Sequence, residues 1–159
     1  MRATDIADVP QLCALLNEII EIGGTTAHQK TFSHKTFAEK FLLQETKISS
    51  LVACNEAGER LGFQTVDSWA DLPDDWGDIS TFARVSDKVK GVGTALFEAT
   101  CKIVRENGFV AINAAIRADN VSGLAYYEKM GFETYEILKD RTLADGTIVD
   151  RVLKRYFLS

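Results

Sequence analysis

The chain is poor in the residues that mark disulfide-bonded and metal-binding proteins. Its 159 residues include three cysteines and two histidines, and only two prolines. An odd number of cysteines without a Cys-x-x-Cys spacing argues against both a disulfide framework and a zinc site. Because free cysteine is among the most buried residue types, we expect the three thiols to fill the core. The sequence therefore predicts no bound metal.

Long apolar segments and clusters of positive charge are also missing. The apolar run 109–112 ends at Asn113, far short of the roughly 20 residues of a membrane span. The first ten residues include acidic side chains and form no apolar signal segment. No block of lysine and arginine interrupts a net charge of −5, although a nucleic-acid-binding surface needs one. We expect a soluble, cytoplasmic protein without a nucleic acid or membrane partner.

Apolar periodicity indicates a mixture of helices and strands in one domain over residues 1–159. Helical spacing follows Pro10 and stops at Gly23, and Ser33 or Thr31 is placed to cap a second helix. A third helix ends near Glu106 and a fourth near Lys129. The predicted strands span 50–54, 61–66, 78–85, 109–116, 132–138 and 148–157. A parallel crossover occurs only around the third helix, which favours a three-layer α/β or α+β domain over a doubly wound sheet.

A glycine-containing turn between a strand and the third helix is the strongest local pattern. The residues Lys90-Gly91-Val92-Gly93 present backbone N–H groups at a helix N-terminus. Glycines allow close approach of the backbone, and the helix dipole favours negative charge. Lys88 and Lys90 add formal positive charge beside the turn. The pattern predicts a site for phosphate or pyrophosphate.

Two common nucleotide-binding loops do not match this turn. A Walker loop ends in Gly-Lys-Ser or Gly-Lys-Thr, and neither is present. A dinucleotide fingerprint requires a third glycine where this chain has Leu96, and an acidic residue after the next strand, which 111–116 does not supply.

Two segments together resemble the GNAT superfamily of N-acetyltransferases. Residues 90–95, Lys-Gly-Val-Gly-Thr-Ala, resemble its acyl-CoA motif Gln/Arg-x-x-Gly-x-Gly/Ala, with lysine at the first position. Residues 120–132, Asn-Val-Ser-Gly-Leu-Ala-Tyr-Tyr-Glu-Lys-Met-Gly-Phe, resemble a second stretch in which Asn precedes a helix ending Tyr-x-Lys-x-Gly-Phe. The two stand about 30 residues apart with one strand between them, and the order of elements extends the resemblance to nearly the whole chain.

The resemblance implies the fold and the donor. It implies a mixed α/β fold, with a central, mostly antiparallel sheet splayed at the fourth and fifth strands and helices on both faces. Acetyl-CoA would be the donor co-substrate, a small-molecule amine the acceptor, and no metal would take part. Homodimers are common in this superfamily, so a homodimer is the protein partner that the resemblance suggests.

The resemblance also implies which residues contact acetyl-CoA. Backbone groups of 83–85 would pair with the pantetheine arm, the turn and first helical residues would hold the pyrophosphate, and Asn120 and Tyr127 would lie near the thioester. For Asn120 a helix cap is the other interpretation, and both roles are compatible. The implied donor-binding residues are Ala83, Arg84, Val85, Lys90, Gly91, Val92, Gly93, Thr94, Ala95, Leu96, Asn120 and Tyr127.

Catalysis requires an acid and a base, and the candidates are Tyr127, Asp78 and Ser80. Tyrosine, with an ordinary pKa of about 10, is protonated at neutral pH and can donate to the departing thiolate. Tyr126 is adjacent but faces another direction. Some members carry a glutamate at the position of Ser80, and serine is no base unaided. Asp78 lies on the same strand face and is a candidate base, directly or through water; otherwise it is a solvated turn residue.

The acceptor side leaves several interpretations open. Residues 21–28 loosely resemble the amino-acid and phosphinothricin branch, which implies direct attack by the primary amine of a small carboxylate-bearing molecule. His28 either lines that pocket or lies at the surface, and Arg84 binds a carboxylate or pairs with an acid. The alternatives are a non-catalytic acyl-CoA-binding module, which the serine at position 80 keeps open, and an N-acetyltransferase of peptides or proteins.

Overall fold

Apolar periodicity organises residues 1–158, the part of the chain that the computed structural model describes, into seven strands and four α-helices. The strands are β1 (Arg2–Ala3), β2 (Lys47–Cys54), β3 (Arg60–Asp67), β4 (Trp76–Ala83), β5 (Ala111–Arg117), β6 (Glu133–Thr142) and β7 (Ile148–Phe157). The helices are α1 (Val9–Ile22), α2 (His34–Phe41), α3 (Val92–Glu106) and α4 (Val121–Met130). None of the helices described here combines the length and apolar character that crossing a bilayer requires.

The helix ends follow from local chemistry. The hydroxyl of Ser33 accepts from the Thr36 amide at 3.1 Å and caps α2. Pro10 lies in the first turn of α1, where its missing N–H costs nothing. Gly23 and Gly131 end α1 and α4 with φ angles of 76° and 103°, which a side chain disfavours. These predicted boundaries are confirmed.

The seven strands form one sheet in the order β1-β2-β3-β4-β5-β7-β6. Every neighbouring pair is antiparallel except β4 and β5, which confirms the predicted mixed fold with a single parallel crossover. The parallel pair shares only three residue pairs, from Trp76–Ala111 to Asp78–Asn113. Residues 79–83 of β4 pair with β3 alone. The edge of β4 that faces β5 is therefore open over this stretch.

The helices cover the two faces of the sheet unequally. On one face α3 and α4 pack across both halves, with Leu96 against β2 and β3, and Phe97 near Ile112 of β5. On the other face α1 and α2 bury Phe63 and Phe82 in a cluster that contains no residue of β5, β6 or β7. That half of the second face consequently has no helix over it, and the strand residues there border a cavity.

The fourth strand begins and ends two residues earlier than predicted, at 76–83 instead of 78–85. The turn at Pro73 receives the amide of Trp76, and the strand starts there. Gly77 follows because a Cβ at that position would lie 2.4 Å from Val66 Cγ1. The shift places Asp78 inside a strand, so its interpretation as a turn residue is wrong. It leaves Arg84 and Val85 in the segment after the strand.

A buried carboxylate ties the N-terminus to the sheet. Asp8, only 1% exposed, accepts from both terminal nitrogens of Arg2 at 2.8 and 2.7 Å and from Nε of Arg60 at 2.9 Å. Burial by itself raises the pKa of Asp8, but the hydrogen bonds from Arg2, the Asp5 amide and Arg60 outweigh it and hold the pKa at about 2.

Replacing this carboxylate should destabilise the fold in a pH-dependent way. For Asp8→Asn we expect a loss of about 3 kcal/mol in the free energy of unfolding at pH 7, measured by urea denaturation, because two arginines lose a buried partner. The folded-state pKa lies below the ordinary 3.8, so the contribution is complete above that pH and disappears as the pH falls toward 2. The difference between variant and wild type should shrink over the same interval.

The matched control is Asp74→Asn, an exposed aspartate of the β3–β4 loop, for which we expect almost no change. Equal losses for the two variants, or a loss for Asp8→Asn that persists at pH 2, would contradict the assignment.

Candidate active site

A cavity of about 1390 Å³ opens where β4 and β5 separate. It runs from the turn before α3, past the open edge of β4, to the uncovered face of β5, β6 and β7. A second cavity, beneath α1 and α2, measures about 10 Å³ and has room for no more than one water molecule. Only the large cavity has space for a cofactor arm and a second substrate together.

The turn before α3 is built to receive an anion. Gly91 caps the helix with a φ of 85° and no side chain bonds to the helix end. The first hydrogen bond of the helix joins the Ala95 amide to the Gly91 carbonyl at 3.0 Å, so the preceding amides of 92–94 have no partner within the helix. Lys88 and Lys90 lie exposed beside them. The predicted anion site therefore has the required donors.

Gly93 is required for a different reason from Gly91. A Cβ there would lie 2.7 Å from the ring of Tyr126, so only glycine lets α4 approach the turn. The Tyr126 hydroxyl donates to the Gly93 carbonyl at 2.7 Å and accepts from Gln64 Nε2 at 3.1 Å. Burial raises the pKa of Tyr126 to about 12, which keeps this donor protonated. Tyr126 thus fastens the two signature segments together.

Most of the residues implied for the donor surround this cavity. Those that line it are Ala83, Arg84, Val85, Lys90, Gly91, Val92, Gly93, Thr94, Asn120 and Tyr127. The structure does not bring Ala95 and Leu96 to it. Leu96 is fully buried among Leu51, Leu61 and Val92, where its side chain stabilises the contact of α3 with the sheet.

Tyr127 lies deep in the cavity and reaches β4. Its hydroxyl is 2.9 Å from Thr81 Oγ1, which in turn accepts from Gln64 Nε2 at 2.9 Å. The side chain is 7% exposed, and burial raises its pKa well above the ordinary value for tyrosine. The phenol is consequently protonated at every pH at which the protein is folded and active.

Asn120 caps α4. Its Oδ1 accepts from the Gly123 amide at 3.0 Å, and its Nδ2 donates to the Thr25 carbonyl at 2.9 Å. The capping role is confirmed, and the amide also ties α4 to the segment after α1. Gly123 leaves room for this arrangement, since a Cβ there would lie 2.3 Å from Asn120 Nδ2.

Asp78 is a largely buried carboxylate on the cavity wall. Burial raises its pKa; a hydrogen bond from Asn113 Nδ2 at 2.9 Å opposes the shift, and the like charge of Asp67 on the adjoining strand adds to it. The Tyr135 hydroxyl donates to Asn113 Oδ1, which fixes the amide so that its nitrogen faces Asp78. Asp78 Oδ2 makes no hydrogen bond with the described residues. Ser80 lines the cavity two residues further along the same strand face.

The acceptor side of the cavity is aromatic and mixed in charge. His28 lines it, packed edge-on against Phe32 and Phe41, and burial together with the nearby Lys40 lowers its pKa, so that it is neutral at pH 7. Both tryptophans also line the cavity. Arg84 pairs with Glu59 at 3.3 Å, so its interpretation as the partner of an acid is the observed one.

Several polar residues of the site were not predicted from the sequence. They are Thr81, Asn113, Tyr135, Asp67 and Arg151. Asn113 carried a readable signal, because one amide interrupts an otherwise apolar strand. The others carry none: a threonine in a strand or an arginine in a C-terminal hairpin is ordinary until the sheet order places it beside the cavity.

Comparison with known proteins agrees with this geometry. The family model described as an acetyltransferase (GNAT) domain matches residues 1–153. The chain belongs to the GNAT family of acetyltransferases. A relative from Pseudomonas aeruginosa, an L-methionine sulfoximine/L-methionine sulfone acetyltransferase, is 27% identical over 139 residues, which cover 84% of this chain and 79% of that protein.

Solved structures share the GNAT fold over nearly the whole chain. A ribosomal-protein-alanine N-acetyltransferase from Brucella melitensis superposes with a TM-score of 0.87 at 20% identity, covering 99% of this chain and 98% of that one. A phosphinothricin acetyltransferase from Sinorhizobium meliloti, in complex with acetyl-CoA, also gives 0.87 at 20% identity, covering 99% and 87%.

The GNAT protein is therefore an acetyl-CoA-dependent N-acetyltransferase, and its residues fit that donor. The partnerless amides at the start of α3 match a pyrophosphate, and the open edge of β4 offers backbone groups to an extended arm. No group of three His, Cys, Asp or Glu side chains within residues 1–158 is arranged to hold a metal ion.

The role of Gly91 is testable with a matched glycine. Gly91→Ala should raise the Kd of CoA, measured by calorimetry, about 10-fold, since alanine disfavours a φ of 85° and the α3 amides would turn away from the anion. Gly146→Ala is the control: its φ is 88°, a Cβ at either glycine would meet nothing within 4 Å, and it sits in the distant β6–β7 loop. Both should lower Tm, and only the first should weaken CoA binding; equal CoA affinities would contradict the assignment.

Proposed function

We propose that this GNAT enzyme acetylates the primary amine of a small amino acid or amino-acid analogue, with Asp78 as general base and Tyr127 as general acid. The observation that carries the proposal is a buried carboxylate and a buried phenol bordering one cavity beside the anion-binding turn. The names of similar proteins support the acceptor class: one acts on methionine sulfoximine and methionine sulfone, and another is a phosphinothricin acetyltransferase.

The donor enters along the splay between β4 and β5. Its pyrophosphate binds the amides of Gly91 to Thr94, and its pantetheine arm pairs with the free edge of β4 at Ala83 and the following Arg84 and Val85. This path leads toward the Tyr127 hydroxyl. Asn120, occupied as a cap, contributes by holding α4 and the segment at Thr25 in place beside the thioester.

Asp78 receives the proton of the acceptor. The free Oδ2 faces the cavity while Asn113 holds Oδ1, so the carboxylate presents one oxygen to an ammonium group or to an intervening water. A raised pKa makes a carboxylate a stronger base, and the burial of Asp78 acts in that direction. The Ser80 hydroxyl, on the same strand face, offers a hydrogen bond to such a water.

The transfer itself balances without a covalent enzyme intermediate. The neutral amine attacks the carbonyl carbon of the thioester, a C–N bond forms, and the C–S bond breaks. The acceptor ammonium gives up two protons in total. One leaves through Asp78 to solvent, and the other balances the phenol proton that Tyr127 donates to the sulfur of CoA.

Thr81 directs the phenol proton. The Thr81 oxygen already accepts from Gln64 at 2.9 Å, so its own hydrogen is free to point to the Tyr127 oxygen 2.9 Å away. With Thr81 as donor, the Tyr127 hydrogen turns toward the cavity. Thr81 is thus a positioning residue for the acid.

The proposal takes residues 1–159 as one acyltransferase domain. It also takes the location as cytoplasmic, because acetyl-CoA is the donor and the three cysteines are free thiols. A homodimer stays a prediction.

A substrate screen tests the acceptor class. Thiol release from acetyl-CoA should be fastest with amino acids and sulfone or sulfoximine analogues, and slower with polyamines and N-terminal peptides. Faster turnover of peptides would indicate a peptide acetyltransferase. CoA binding without thiol release for any acceptor would indicate a binding module.

Tyr127→Phe should lower kcat about 100-fold and leave the Kd of CoA nearly unchanged, because only the proton donor is lost. The adjacent Tyr126→Phe is the matched control. It removes the hydrogen bond to the Gly93 carbonyl, so its principal effect should be weaker CoA binding. Steady-state kinetics and calorimetry separate the two, and a reversed pattern would transfer the role of acid to Tyr126.

The two neighbouring aspartates should differ in their pH–rate profiles. Wild-type kcat/KM should fall on an acidic limb above the ordinary carboxyl pKa of 3.8, because burial raises the pKa of Asp78. Asp78→Asn should lower kcat/KM about 100-fold and remove this limb. Asp67→Asn removes a like charge that raises the same pKa, so it should move the limb to lower pH and retain activity. A limb that persists in Asp78→Asn would exclude Asp78 as the base.

A further inference from the structure

Arg151 on β7 is a half-buried cation without a protein partner. It lines the same cavity as Asp78, yet within residues 1–158 its side chain makes no hydrogen bond and no ion pair. Arginine carries five N–H donors, and a partly buried guanidinium ordinarily satisfies several of them. An unpaired one facing a cavity is therefore a candidate binding group.

The other arginines on this face of the sheet are committed to protein partners. Arg117 makes two hydrogen bonds to Asp119, at 2.9 and 2.8 Å, and a third to the Thr26 carbonyl. Arg155 bonds Glu133 at 3.0 Å and lies over the rings of Tyr135 and Phe157. Both are held in fixed positions as parts of the cavity wall. Arg151 alone of the three is left for a ligand.

The register of the sheet places Arg151 and Asp78 across the acceptor side from each other. Arg151 pairs with Arg117 of β5, and Asp78 pairs with Asn113 of the same strand, four residues earlier and on the same face. Two strand spacings and four residues separate their Cα atoms by about 16 Å. The charge of Arg151 is felt at Asp78, whose pKa it lowers against the dominant effect of burial.

We infer that Arg151 binds the α-carboxylate of the acceptor, so that the acceptor is held as an α-amino acid between Arg151 and Asp78. This inference rests on the proposed acetyl transfer. A guanidinium binds a carboxylate through two parallel hydrogen bonds, which fixes orientation as well as position. In an α-amino acid the ammonium and the carboxylate are attached to one carbon. With a hydrogen bond at each end they span about 8 Å, so the two side chains together set the amine at the base.

The position of Arg151 separates this site from the site of the donor. The donor phosphates have the α3 amides with Lys88 and Lys90, on the far side of the splay. Arg151 lies beyond β5, next to Leu138 of β6 and over the half of the sheet that has no helix. Its loss should therefore change selection of the acceptor and spare the binding of CoA.

The test compares two acceptors that differ only in the carboxylate, L-methionine sulfone and 3-(methylsulfonyl)propylamine. For Arg151→Gln we expect the Kd of L-methionine sulfone for the CoA-bound protein, measured by calorimetry, to rise about 30-fold, as is typical for loss of a charge-assisted pair. The KM should rise similarly, with a smaller change in kcat. Both constants for the amine, and the Kd of CoA, should stay within about 2-fold of wild type.

Two further variants serve as controls. Arg141→Gln removes the same charge from an exposed arginine at the rim of the cavity and should behave like wild type. Arg151→Lys keeps the charge without the planar fork and should lose less affinity than Arg151→Gln. Thermal melting identifies any variant that fails to fold, and Arg151→Lys then decides the question.

Each outcome decides one of the two ideas. Equal weakening of both acceptors by Arg151→Gln, an equal effect of Arg141→Gln, or unchanged binding of L-methionine sulfone would overturn the carboxylate site. Arg151-dependent binding of L-methionine sulfone without thiol release would support the site and contradict the proposed transfer. Thiol release with other amines, while wild type binds no amino acid, would support acetyl transfer and exclude the site.

Discussion

The three residue pairs that join β4 to β5 are the constraint on which the rest of the site depends. A longer parallel ladder would bury the edge of β4 and close the cavity, whereas no ladder at all would leave the two halves of the sheet unconnected. The pairing stops at Asp78–Asn113, and the residues beyond it on β4 keep their bonds to β3. One strand is therefore held firmly on one side and is free to bind on the other.

The proposed chemistry uses both faces of this strand. Alternation along β4 sends Thr81 toward α4, where it meets Tyr127, and sends Asp78 toward the uncovered half of the opposite face. The splay connects the two faces, so an acid and a base that belong to different layers border the same cavity. Burial raises the pKa of both groups, which keeps the phenol protonated and makes the carboxylate more basic.

The strongest local patterns predicted the fold well. Caps at Ser33 and Gly131, and the paired glycines of the α3 turn, act through the backbone over a few residues, so they are readable without tertiary information. The two-residue error at β4 arose because Gly77 looked like part of a loop, whereas it is a strand residue beneath Val66. The same error made Asp78 look solvated. Leu96 was taken for a donor contact because it follows the motif, but helical periodicity turns it into the core.

The sequence by itself determined the turn before α3, the helix that follows Asn120 and, through their resemblance, the family and the donor. Those features depend on residues close together in the chain. Only the tertiary structure decided which polar side chains surround the acceptor. Asn113, Tyr135 and Arg151 lie on three strands whose spatial order is not their order in the chain, because β7 inserts between β5 and β6. Their neighbourhood with Asp78 arises from that insertion and from the short β4–β5 pairing, which no local pattern records.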